Sequence, residues 1–311
     1  MRKQLATLLL TFIFCLTAVV PGFAADANIP ASDKVSAMEK TLYGTEQGGS
    51  LIQRMDSLED DVYGTVTSDA ILDRIDNMYD YLQGSPDNGE ASFATRLNVV
   101  EWRLNESMSG GPAKTRIEGA EKLLFGEAKT GSLSGRVEEL LKLASYENGV
   151  VPVQEVVLPK DSPLKITFTN AMSTRESRKG DLVTFKASDN LYVGDVLAIP
   201  KGATGIGKIK KVVQPGIFGK DGRIDIEFTS IYGVDGTPIS IFVGDMAKQK
   251  AESIAGAAGA AIGGMIVLGP VGIVGGAFVK GNAVEIPVGC ETYVQTTEDI
   301  ALQGVVYQGE L

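Results

Sequence analysis

The chain has 311 residues, a formal net charge of −10, two cysteines and no histidine. That length is enough for two domains, and an acidic balance argues against a nucleic-acid partner, whose phosphates need a basic footprint. Without histidine the usual serine and cysteine triads lack their base and zinc loses its commonest ligand, so no enzyme activity, metal or cofactor is expected.

Arg2 and Lys3 open the chain, residues 4–20 are largely apolar, and Pro21-Gly22 ends the run. Gly22-Phe23-Ala24 and Ala25-Asp26-Ala27 offer small-residue cleavage patterns, so residues 1–27 read as a secretory signal peptide. No Leu-x-x-Cys lipid-attachment pattern sits there, and Cys15 leaves with the peptide. The expected protein is exported, in the periplasm or associated with the outer membrane. Cys290 then stays alone, and no internal disulfide is possible.

Residues 28–148 carry most of the negative charge and read as six short-helix units of about twenty residues. Leu51, Met55, Leu58 and Val62 stand at offsets 0, 4, 7 and 11, and Ile71, Ile75, Met78 and Leu82 repeat them. Further copies start at Ala31, Phe93, Ala113 and Leu133. Such offsets put all four side chains on one helical stripe. Gly44, Gly64, Gly84, Asn105 and Gly126 follow the stripes as terminators. Ser50, Ser92 and Ser132 precede them as N-caps, and Ser50 with Gln53 forms a capping box. Helices this short need to bury the seam against neighbouring units or other subunits. An arginine recurs at Arg54, Arg74, Arg96, Arg116 and Arg136, and is expected to pair with acidic residues of the next unit. Tyr43, Tyr63, Trp102 and Phe125 are read as packing residues.

Residues 149–311 change pattern to short alternating runs separated by Gly, Asp and Asn turns. The expected strands are 150–158, 164–169, 181–187, 206–213, 223–232 and 239–243, forming an antiparallel barrel or sandwich. Leu158-Pro159-Lys160-Asp161, Ile199-Pro200-Lys201-Gly202 and Ile286-Pro287-Val288-Gly289 read as equivalent corners, because proline presets the turn. The fold class is therefore α+β, a helical array followed by a β domain with an insert.

That insert is residues 253–279, which carry no charge. Gly256, Gly259, Gly263, Gly264, Gly269, Gly272, Gly275 and Gly276 stud it, largely at spacings of three and four that allow close helix approach. Pro270 interrupts the run. Two helices of about 12 residues joined at Gly269-Pro270 are expected, each too short to cross a bilayer of ~30 Å. Such a hairpin would dip into a membrane, pack between subunits or fill a core.

In strand order, Ile-Pro-x-Gly corners and apolar insert, residues 150–308 resemble the outer-membrane barrel subunit of type IV secretion and conjugation core complexes. The resemblance implies that the inserted helical pair helps to form an outer-membrane channel. The long Pro-rich linker and cytoplasmic anchor of that family have no counterpart here, so no secretion role is carried over. The glycine-rich run also looks like glycine-zipper segments of small outer-membrane proteins, and the repeats resemble uncharacterised envelope proteins of two-membraned bacteria.

Two motifs tempt. Gly202-Ala203-Thr204-Gly205-Ile206-Gly207-Lys208 approaches a phosphate loop, but Ile209 stands where Ser or Thr should hold magnesium, and a strand follows. Arg175, Arg178, Lys179, Lys208, Lys210, Lys211 and Lys220 either meet anionic lipid or polysaccharide, or form a solvated strand face. The expected protein is a non-enzymatic envelope scaffold, homo-oligomeric and membrane-associated. The alternative is a module binding cell wall or polysaccharide, with the helices as spacer.

Overall fold

The computed structural model describes residues 29–84, 89–146, 148–216, 222–258, 273–275 and 283–306. Six helices open it: α1 (Ala31–Tyr43), α2 (Leu51–Tyr63), α3 (Ile71–Gln83), α4 (Phe93–Asn105), α5 (Ala113–Phe125) and α6 (Leu133–Leu143). Each starts at the first stripe residue of its repeat. The Ser50 side chain accepts from the Gln53 backbone in a complete capping box, and Ser92 and Ser132 cap α4 and α6. Gly44, Gly64 and Gly126 take the left-handed conformation that closes α1, α2 and α5. Asn105, expected as a terminator, is instead the last helical residue, and Glu106 turns left-handed after it.

The seam is buried within the chain itself. Met55, Leu58, Val62, Ile75 and Leu82 are fully buried, Met78 almost so, and Leu51 and Ile71 pack against the same cluster. No second subunit is needed to cover these residues, because α1 packs on α2, α3 and α5 while α2 packs on α6.

The recurring arginine pairs backwards rather than forwards. Arg54, Arg74, Arg116 and Arg136 each donate two hydrogen bonds to a glutamate of the preceding helix: Glu39, Glu59, Glu101 and Glu121. The same glutamates accept the backbone N–H of Gln47, Thr67, Ser109 and Lys129, and so pin the loop after their own helix. One buried carboxylate thus closes its loop and ties on the next helix. Tyr79 and Leu141 occupy the glutamate's place in α3 and α6. Arg96 therefore lacks the partner, bonds the Ala91 carbonyl at 3.0 Å and stacks on Tyr81. The clamps stitch α1–α2–α3 and α4–α5–α6 as two triplets, and α1 meets α3 as α4 meets α6.

The remaining strands are β1 (Val153–Leu158), β2 (Pro163–Phe168), β3 (Met172–Ser173), β4 (Leu182–Ala187), β5 (Leu191–Val193), β6 (Val196–Ile199), β7 (Thr204–Val213), β8 (Arg223–Tyr232) and β9 (Pro238–Phe242). After them come helix α7 (Asp245–Ala258), β10 (Ile273–Gly275), β11 (Glu285–Ile286), β12 (Glu291–Thr296) and β13 (Ile300–Val306). The order β8-β7-β4-β2-β12-β9 closes on itself through a β9–β8 pairing, making a six-stranded antiparallel barrel. Inward residues alternate along each strand, as closure requires: Leu164, Ile166 and Phe168 on β2, Val183 and Phe185 on β4, Ile224 and Ile226 on β8. A second sheet, β1-β13-β6-β5, contributes Leu197 and Val305 to the core of the helices.

All three proline corners share one conformation at their fourth residue: Asp161, Gly202 and Gly289 have φ of 62°, 85° and 88°. Their N–H groups donate to the carbonyls of Thr296, Ala187 and Phe168, the last residues of β12, β4 and β2. Each corner carries the chain into the barrel strand that pairs with that same neighbour.

The helices sit firmly on the β part. Asn98 donates to the Val234 carbonyl at 2.9 Å, Trp102 Nε1 donates to Asn190 at 3.0 Å, and Lys201 pairs with Glu106. A Cβ on Gly202 would run into the Ser107 backbone, so that corner also admits the loop after α4.

Candidate functional site

Among the described residues, the groups that could carry catalytic or metal chemistry do not converge. Among the described residues no cluster of three His, Cys, Asp or Glu is placed to hold a metal ion. Burial pushes the Cys290 thiol up, away from the reactive thiolate. The glycine loop that resembled a phosphate cradle is the corner and first half of β7. Gly205 lies under the Phe185 ring, and a Cβ at Gly207 would stand 2.7 Å from the Glu227 carbonyl. These glycines serve close packing inside a narrow barrel.

What the barrel does present is the root of the insert. Gln295 on β12 is almost fully buried; its Oε1 accepts the Ala247 N–H at 2.9 Å and its Nε2 donates to Asp161 at 2.6 Å. One side chain thus caps the start of α7, where free N–H groups need acceptors, and ties it to a proline corner. Gly244 lacks a side chain because Gln295 fills that space. Beside the root lies a cleft of about 440 Å³, bordered by Asp161, Phe228, Phe242, Lys248 and Gln295. A second, of about 560 Å³, lies near Met172, Arg175, Asp181 and Glu285.

Replacing Gln295 with leucine leaves the α7 cap and Asp161 without their shared partner. Faster amide exchange at Ala247 and earlier proteolysis within 245–258 are the expected results, with an effect of about 1–2 kcal/mol. Unchanged protection at Ala247 would remove Gln295 from this role.

In its described residues the insert differs from the expected two joined helices on the return leg alone. Its first leg is helical, because α7 starts at Asp245 and runs to Ala258, carrying Gly256. On the return, Ile273–Gly275, including Gly275, is extended and pairs antiparallel with Arg223–Asp225 of β8. Pairing with an available strand edge satisfies the backbone there, which the expected second helix would have done internally. Gly259, Gly263, Gly264, Gly269, Pro270, Gly272 and Gly276 lie outside the described residues, as do residues 1–28. Among the described residues no helix is long and apolar enough to cross a membrane.

The aromatic residues beside the seam are engaged. Trp102 is buried at the junction, the Tyr43 hydroxyl donates to Asp61 at 2.8 Å, and Tyr63 packs on Tyr81. Burial pushes Tyr63 up to about 12. Phe125 is the exposed exception, with Lys129 over its ring. Sequence reasoning missed Gln295, whose isolated position gave no signal. It also missed the buried glutamates, although they recur right after the third stripe residue, at Met38-Glu39, Leu58-Glu59, Val100-Glu101 and Ala120-Glu121.

No family model and no curated protein matches the chain. Among solved structures it is similar to ComB10 of the Com Type IV secretion system of Helicobacter pylori. Identity is 14%, the TM-score is 0.27, and the match covers 47% of this chain and 89% of that one. A likeness of that size coincides with the resemblance noted in the sequence and carries no argument about function.

Proposed function

We propose that this chain is a non-enzymatic assembly protein of the cell envelope, associated with the outer membrane and self-assembling through the glycine-rich insert. The observation that supports it is the rooting of both insert legs on one barrel. α7 leaves from a cap on β12, and β10 returns to pair with β8. Between them, residues 259–272 hold no charged side chain and five glycines. An uncharged segment held at both ends by a rigid body is suited to meet lipid or a second copy, whereas one spanning helix would carry the chain away. The helical array, with its seam already covered, acts as a stiff platform on the barrel rather than as a loose spacer.

The test is fractionation of cells carrying the wild type or a variant in which residues 259–272 are replaced by a short Gly-Ser linker. The wild type is expected in the outer-membrane fraction, giving cross-linked multimers, and the variant in the soluble periplasm as a folded monomer. Release of the wild type as a soluble monomer without detergent defeats the reading.

A further inference from the structure

The dispersed basic residues of the β part come together on one face. β4 and β7 pair antiparallel, with Leu182 opposite Lys208 and Thr184 opposite Ile206. Residues directly opposite each other project on the same side of a sheet. The turn before β4 is pinned to β7: Gly180 N–H donates to the Ile209 carbonyl, and Ile209 N–H donates to the Asp181 carbonyl. This brings Arg178 and Lys179 beside Lys208, Lys210 and Lys211. All five basic side chains are exposed. So are two large apolar residues among them, Leu182 at 59% and Ile206 at 37%.

The charge there runs against that of the chain as a whole, which is −10. The carboxylates on this face are already engaged. Glu227 lies 3.5 Å from Lys208, and the Asp181 side chain accepts the backbone N–H of Arg178 at 2.8 Å, which fixes the turn and leaves the guanidinium out of the contact. Asp225, where β7 meets β8, is taken by Arg223 at 2.9 Å. Lys179, Lys210 and Lys211 add positive charge beyond these pairs. A solvated strand face would gain nothing from Leu182 and Ile206 standing in water between lysines. Lysines around exposed aliphatic side chains do suit a lipid headgroup layer, where ammonium groups meet phosphates and short apolar groups sink below them.

The face also adjoins the insert. Lys211 on β7, Asp225 on β8 and Ile273 on β10 form one cross-strand row. The end of the barrel that receives the uncharged segment is therefore the end that carries the basic side chains.

We propose that the β4–β7 face formed by Arg178, Lys179, Lys208, Lys210 and Lys211 around Leu182 and Ile206 lies against an anionic lipid bilayer. The inference rests on the membrane-associated reading above and adds to it the contacting face and the sign of the lipid charge. Each lysine close to an anionic surface contributes about fivefold to binding, and the contribution falls with salt over a Debye length of about 8 Å at physiological ionic strength.

The experiment is co-sedimentation of the purified full mature chain with large vesicles of phosphatidylcholine alone or mixed with phosphatidylglycerol. The wild type is compared with the Lys208→Gln/Lys210→Gln/Lys211→Gln variant and, separately, with Leu182→Ser/Ile206→Ser, each checked by circular dichroism. The wild type is expected to bind phosphatidylglycerol vesicles more tightly than phosphatidylcholine ones, and the preference to fade in high salt. The lysine variant should lose on the order of 100-fold on anionic vesicles while binding neutral vesicles like the wild type; the Leu182/Ile206 variant should weaken on both. Equal binding of wild type and lysine variant to anionic vesicles overturns this proposal and leaves the anchoring reading standing. Failure of the wild type to bind any vesicle defeats both. If the lysine variant keeps its vesicle binding but loses binding to a soluble anionic polysaccharide, the face belongs to a glycan and the lipid assignment is wrong.

Discussion

Glu59→Leu is expected to cost about 3–5 kcal/mol of stability, read as the shift in a denaturant titration of the helical signal. The Glu59 carboxylate is 3% exposed and accepts from Arg74 at 3.1 and 2.7 Å and from the Thr67 backbone and hydroxyl, both at 2.9 Å. Removing it leaves Arg74, 8% exposed, with Asp56 alone, and unpins the loop between α2 and α3. A buried guanidinium stripped of the bidentate one of its two carboxylates costs more than the pair contributed. Glu59→Leu/Arg74→Leu should therefore lose less than the sum of the single changes. A single-variant loss below about 1 kcal/mol would show that the clamp behaves as a surface ion pair.

The same carboxylates give the array an acid limit. Burial pushes Glu59 and Glu121 up, but hydrogen bonds from Arg74 and Thr67 in one case, and from Arg136 and the Lys129 backbone in the other, outweigh it and hold both below the usual carboxylate value. A depressed folded value means that the stabilisation is complete above the unfolded value of about 4.3. It is lost as pH falls through the lower folded values. The Glu59→Gln variant should accordingly lose stability less steeply than the wild type below about pH 4.3.

Gly205→Val is expected to destabilise the barrel by about 3 kcal/mol or more, through overpacking rather than backbone strain. A Cβ at this position would overlap the Phe185 ring, itself buried and packed edge-on against Phe228 at 5.4 Å. The ring has nowhere to go, because a closed six-stranded interior has room only for its side chains. Pairing Gly205→Val with Phe185→Ala should recover part of the loss, and full additivity of the two would refute the overlap. Thermal unfolding followed by calorimetry reads both variants.

Legibility in the sequence tracked the range of the physics involved. Offsets of 4, 3 and 4 and the Ser and Gly punctuation act within one or two helical turns, so the starts at Leu51, Ile71 and Phe93 could be read directly. The proline corners were legible for the same reason: proline sets its own turn, and Asp161, Gly202 and Gly289 answer it locally. The strands β5 and β6 were not singled out, since neither is long enough to show a period. For the insert, composition gave the absence of charge, yet Ile273–Gly275 became a strand because an edge of β8 was there to pair with.

The sequence by itself determined an α+β chain, six N-terminal helices with one apolar stripe each, and three equal corners among strands. Only the tertiary structure decided that four of the five recurring arginines reach back fifteen residues to buried glutamates and that β9 closes the barrel onto β8. It alone decided that Gly205 and Gly207 serve packing, and that lysines and an arginine scattered along the chain share one face. The reason is that helix periodicity and turn chemistry are properties of neighbours in the chain. The meaning of a charge or a glycine depends on what a distant segment brings against it.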